Sequence, residues 1–207
     1  MSSKSKRLER VAAVAPRIIS GSEDVRKSGG HCIFATAVGL AVCRSYGIDA
    51  QPMSVEVGAM NGEMYDWSLS GRLVADRPDS AWGVGVMNDQ EEGQYEVFNR
   101  MSHSWDGHLV IEVPKVGFLD LNSGIFSRPE RQMIVPEGFF LPLAMLKSTK
   151  LSSAFTGFQL LGKTDQAIMM YRRSAPGTVS EKWKESGDWL RRKEYAGDLA
   201  RKIIKEM

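Results

Sequence analysis

Residues 32–46, CIFATAVGLAVCRSY, are apolar on every side of a helical wheel, and Gly47 follows them as a helix-terminating residue. A helix with no polar face must be enclosed by the rest of its domain. The chain has 207 residues, enough for one cored domain that encloses such a helix and too few for two comfortable ones. Residues 1–207 therefore read as a single domain. A helix and connector occupy 1–29, the core 30–175, and an amphipathic helical segment 176–207.

The flanks supply the layers. Residues 5–20 read as a helix with Leu8, Val11, Ala12, Val14 and Ile18 inward, and with Pro16 as its end or a kink. Such a helix would brace the body or cover a cleft. After the buried helix, Met53, Val55 and Val57 alternate with Ser54 and Glu56, the period of a half-buried strand. Residues 60–107 mix turn residues with short apolar pieces and sustain no period, and long irregular stretches of this kind tend to carry function. HLVIEV and GFLDLN around a Pro/Gly turn form the clearest hairpin, and QAIMMYRR reads as another strand. From Ser180 to Glu206, Trp183, Trp189, Leu190, Leu199 and Ile203 among Lys, Arg and Glu predict one or two amphipathic helices, broken near Gly187 or Gly197. This order predicts an α+β domain with an antiparallel sheet.

Charge narrows the partners. Residues 1–29 hold seven basic and three acidic groups, residues 180–207 eight and six, and residues 30–179 twelve and sixteen. An acidic body lacks the basic stripe that phosphate contacts require, which argues against nucleic acid. No run approaches the ~20 apolar residues of a membrane span, and the charged N-terminus does not resemble a secretory signal. Two cysteines ~16 Å apart along one helix cannot bridge, so reduced thiols in a cytoplasmic protein are expected.

The chemistry centres on Cys32, which follows Ser28-Gly29-Gly30-His31 at the first turn of the buried helix. Unpaired N–H groups and the positive end of the helix dipole at that position favour a thiolate and can hold a developing oxyanion. The competing reading makes Cys32 one more small core residue, which is the reading given to Cys43. A nucleophilic thiol needs a base, and the base needs an orienting acceptor. His108 opens the first hairpin strand. Period two places His108, Val110 and Glu112 on one face, with Phe118, Asp120 and Asn122 sharing a face on the next strand. A turn through 113–115 sets His108 opposite Asp120. A turn through 114–116 sets it opposite Asn122, with Asp120 diagonal. The competing readings are an exposed strand-end histidine and a solvent-facing aspartate. His103 lies in irregular sequence with no fixed partner, and His31 is expected to point away from Cys32.

No CxxC, HExxH or paired ligand spacing indicates a metal, and no Walker or Rossmann loop indicates a nucleotide, so no cofactor is expected. Trp67, Trp82, Tyr95 and Trp105 are candidates to wall a substrate cleft.

Together, GGHCIFATAVGLAVCRSYGIDAQPMSVEV and GHLVIEVPKVGFLDLNSG resemble the transglutaminase-like branch of the papain-like cysteine fold. Gly29-Gly30-His31-Cys32 and Phe118-Leu119-Asp120-Leu121-Asn122 are also similar to arylamine N-acetyltransferases. The likeness spans residues 26–58 and 105–126. It implies a papain-like core with Cys32 as nucleophile, His108 as general acid/base and Asp120 as orienting acceptor. Arg26, Lys27 and Ser28 stand where the papain branch carries a Gln, which leaves oxyanion stabilisation to backbone N–H groups. Phe34 stands where the acetyltransferases carry a Glu. The expectation is a cysteine-dependent acyl-transfer enzyme, a hydrolase, amidase or peptidase acting on a peptide, amide or acyl substrate. The alternatives are an N-acetyltransferase-like acyltransferase and a non-catalytic module that binds a protein partner on the same fold.

Overall fold

A computed structural model describes residues 2–27, 31–70, 74–86, 96–97, 107–145, 147–148, 156–161, 166–174 and 179–207. The architecture is α+β, with helices packed on a curled sheet that is antiparallel except for one short pair.

Helix α1 (Ser3–Ser20) starts on Ser2, whose side chain accepts the Ser5 N–H at 3.1 Å. Helix α1 runs on past Pro16 to Ser20, so Pro16 does not end it, although the sequence allows that. The bare Cα of Gly138 fits against Pro16 and against the Ala12 carbonyl, to which a proline nitrogen cannot donate; a Cβ there would come within 2.7 Å of Pro16 Cγ. The buried stripe is Leu8, Val11, Ala12, Ala15, Pro16 and Ile19, so Val14 and Ile18 only flank it. The connector holds a short helix, α2 (Glu23–Lys27).

Helix α3 (His31–Ser45) is the enclosed helix: Cys32 through Gly39, Val42 and Cys43 are buried. It ends in a Schellman turn. Gly47 sits at φ +64°, the Gly47 N–H donates to the Arg44 carbonyl at 3.0 Å, and the Ile48 N–H to the Cys43 carbonyl at 2.9 Å. Helix α4 (Gly62–Leu69) lies in the stretch whose sequence shows no period. Asn61 caps it, its side-chain oxygen accepting the N–H groups of Met64 at 2.9 Å and Trp82 at 3.1 Å. At the C-terminus a 3-10 stretch, Val179–Glu185, leads into α5 (Gly187–Leu190) and α6 (Arg192–Glu206). The breaks fall at Ser186 and Arg191, and Gly197 stays within α6. Leu190 is exposed rather than core.

The strands are β1 (Gln51–Asn61), β2 (Gly83–Val86), β3 (Glu96–Val97), β4 (His108–Val113), β5 (Gly117–Asp120), β6 (Phe139–Pro142), β7 (Lys147–Ser148), β8 (Thr156–Leu161) and β9 (Gln166–Arg173). Their order is β6-β5-β4-β1-β9-β8-β7, with β2 also paired to β1 and β3 parallel to β2. Strand β1 is buried on both faces from Ser54 to Asn61, not half-buried as its alternation suggests. It is central, so its polar residues are paired rather than solvated: the Ser54 hydroxyl meets that of Ser174 at 3.1 Å, and Glu56 pairs with Arg172. The N-terminal part of β1 pairs with β4 through Val55–His108, and its C-terminal part pairs with β2 from Val57–Val86 onward. Two strands therefore follow one another along a single edge of β1, and His108 stands where one gives way to the other.

Pairing parity sorts the core. Ile111, Val113 and Leu119 face the helical layer of α1, α3 and α6. Val55, Val57, Val110, Phe118 and Tyr171 line the opposite face under Phe126, Met133 and Val135. Phe34 of α3 stacks on Tyr195 of α6 at 4.0 Å and 10°. The terminal helices are thus integral to the core that fixes α3.

Candidate active site

Each element at the site has a local reason to be there. The Thr36 hydroxyl, one turn into α3, donates to the Leu109 carbonyl at 2.9 Å and holds the start of the helix against the start of β4. Cys32 and Ile33 pack there with Leu109 and Trp183. The β4–β5 register pairs Glu112 with Phe118 and Val113 with Gly117. This is the turn through 114–116, with Lys115 in the left-handed region and the Val116 N–H donating to the Val113 carbonyl at 3.0 Å. Extended by three pairs beyond Ile111–Leu119, that register sets His108 opposite Asn122 and Asp120 on the diagonal.

The diagonal is bridged directly. His108 Nε2 is 2.8 Å from Asp120 Oδ2, with the residues 1% and 0% exposed. Neither is the solvent-facing residue of the competing reading. The Asn122 backbone N–H donates to Asp120 Oδ1 at 2.9 Å, and the Tyr171 hydroxyl donates to Oδ2 at 2.9 Å. Asn122 thus serves Asp120 through its main chain. Tyr171 is a site residue that sequence reasoning missed. Its strand was legible, but the pairing of β9 with β1 that sets Tyr171 beside Val57 joins residues more than a hundred positions apart.

Both ends of the imidazole are accounted for. With Nε2 donating to a carboxylate, a neutral ring keeps its lone pair on Nδ1. Nδ1 is buried and has no hydrogen-bond partner among the described residues. Burial alone would lower the proton affinity of His108. The Asp120 carboxylate overrides it, Cys32 adds to the same effect, and the pKa is raised from 6.5 to about 10. Cys32 is therefore an electrostatic neighbour of the ring, short of a formed hydrogen bond. Phe126 meets the ring edge-on at 5.2 Å and 72°. Tyr171 is held far above the ordinary tyrosine range by burial and by Asp120, so it remains a neutral donor.

The other candidates separate from this cluster. His31 is exposed. Cys43 is buried in the last turn of α3, where burial pushes its thiol up to about 11. Both cysteines are free. Trp67 is half-buried against Met60 and Met64, and Trp82 is half-buried against the Val57–Tyr171 face. Ser28, Gly29, Gly30, Tyr95, His103 and Trp105 lie outside the described residues. Among the described residues, no three His, Cys, Asp or Glu side chains are grouped to hold a metal ion, and no helix is long and apolar enough to cross a membrane.

No protein-family profile, no curated protein and no solved structure matches this chain. The chemistry of the site therefore rests on its geometry.

Proposed function

We propose that the protein is a cysteine-dependent acyl-transfer enzyme of papain-like, transglutaminase-like architecture, with Cys32 as nucleophile, His108 as general acid/base and Asp120 as orienting acceptor. The carrying observation is the state of His108: one nitrogen is engaged by a buried carboxylate and the other is unbonded, while Cys32 packs on Leu109, the next residue of the same strand. A structural histidine sealed in a core ordinarily uses both nitrogens or stays neutral.

In the reactive ion pair His108 Nδ1 already holds the proton given up by Cys32, as a ring that keeps its proton up to about pH 10 allows, and the sulfur attacks the carbonyl carbon of an amide, ester or thioester. The oxyanion collects charge from the N–H groups at the start of α3, whose first turn has no intrahelical acceptors. As the tetrahedral species collapses, the bond to the leaving amine, alcohol or thiol breaks and His108 supplies its proton. Water or an amine then gives a proton to His108 and attacks the thioester, which releases the acyl group and regenerates the thiol. Asp120 fixes the ring and balances the imidazolium at each stage without itself taking the proton.

Incubation with p-nitrophenyl acetate tests this reading. The expected result is a burst of nitrophenolate with one acetyl group on Cys32 by intact-mass and peptide mapping, lost in Cys32→Ser and strongly slowed in His108→Ala. Acetylation spread over lysines and unchanged by either substitution overturns it. A fold that only binds a protein partner would give that outcome.

A further inference from the structure

We infer that the segment from Val179 to Glu185 is a latch closed over Cys32, with Trp183 as the bolt, and that substrate must displace it. The inference rests on Cys32 being the reacting atom. Cys32 is only 9% exposed, and Trp183, itself 4% exposed, packs with it, Ile33 and Leu109. Trp183 is not part of the sheet or of the helical layer. It comes from a single 3-10 stretch, between the end of β9 and the Ser186 cap of α5.

Three features fit a part that opens. Backbone order in Val179–Glu185 is 3-10, with poorer hydrogen-bond geometry than an α-helix. Lys182, Lys184 and Glu185 around Trp183 are exposed, and a short element with few buried side chains belongs to the low-stability end of a structure. The Trp183 indole N–H is buried with no acceptor among the described residues, a desolvation loss that opposes closure. Beyond the segment the chain is secured again by Tyr195 on Phe34 and by Leu199 and Ile203 in the helical core, so opening need not unfold α6. Ser186 marks the hinge. Its hydroxyl accepts the Trp189 N–H at 3.2 Å, and Trp189 meets Trp183 edge-on at 4.7 Å and 89°.

The test compares iodoacetamide alkylation of Cys32 and Cys43 in the full chain, wild type against Trp183→Ala and Trp183→Phe. The latch predicts that Trp183→Ala speeds alkylation of Cys32 about tenfold or more, that Trp183→Phe gives a smaller rise, and that Cys43 stays at its wild-type rate. An unchanged Cys32 rate overturns the latch, and so does a parallel rise at both cysteines, which reports general loosening. If Trp183→Ala does not fold, Trp183→Phe decides alone, and no rise at Cys32 overturns the proposal. The nitrophenyl ester separates the two readings. Faster alkylation without any acyl-enzyme leaves the latch standing and removes the nucleophile. Acyl-enzyme formation with alkylation indifferent to Trp183 does the reverse.

Discussion

Tyr171 and His108 donate to the same oxygen of Asp120, at 2.9 and 2.8 Å, although they belong to strands separated by β1. Tyr171 thus shares Oδ2 with the imidazole while the Asn122 N–H holds Oδ1, and in the proposed mechanism it would be a positioning residue acting through Asp120.

Tyr171→Phe removes that donor without changing the ring. Loss of one buried hydrogen bond to a charged acceptor is expected to lower stability by about 1.5–3 kcal/mol, measured by urea unfolding. A purely structural tyrosine would stop there. A positioning role also predicts slower Cys32 acylation and a changed pH profile for it. An unaltered profile in a folded variant would restrict Tyr171 to packing.

The raised pKa of His108 fixes the sign of a stability effect. Because the folded value, about 10, lies above the unfolded value near 6.5, the folded state holds the proton more tightly. The contribution is complete below about pH 6.5, falls as pH rises from there, and is gone above about pH 10. Wild type should therefore lose unfolding free energy across that interval more steeply than His108→Gln. Parallel curves for the two proteins would contradict the assignment.

Cys43 supplies an internal control. Its thiol is buried and pushed up to about 11, so it should stay unmodified by iodoacetamide at pH 7 while Cys32 reacts at least about tenfold faster. His108→Ala should remove the difference. Equal and slow modification of both thiols in wild type and in Trp183→Ala would favour a binding module over an enzyme.

Much of this geometry was legible in sequence, and for identifiable reasons. Helix α3 could be read because no residue from Cys32 to Cys43 offers it a polar face, and its end because Gly47 supplies the positive φ of the closing turn. Period two placed His108 and Asp120 on one face whichever turn formed. The turn itself was less legible, since it puts Lys115, not a glycine, in the left-handed region; the glycine cue lay two residues later at Gly117, where a Cβ would strike the Leu141 carbonyl. Helix α4 escaped notice because its cap, Asn61, ends a strand without a break. The two-sided burial of β1 and the place of Tyr171 escaped because strand order is a tertiary fact that no local period encodes.

Gly39 marks the closest approach of α3 to the sheet: a Cβ there would come within 2.6 Å of Leu121 Cδ1 and would also strike Ile111. Gly39→Ala should therefore cost about 1–3 kcal/mol by overpacking, offset in part by about 1 kcal/mol of helix propensity. Lifting α3 also moves Cys32 from His108, so acylation should slow by more than stability alone explains. Adding Ile111→Val should restore part of both. Additive losses in stability and rate for the double variant would argue that the two sites do not share a contact.

Because β4 takes its register from β1 and β5 rather than from the peptide that leads into it, the imidazole's position is independent of that peptide's length. A change of length between β2 and β4 would therefore leave the His108–Asp120 pair in register, because the pairs that set it all lie on β1, β4 and β5.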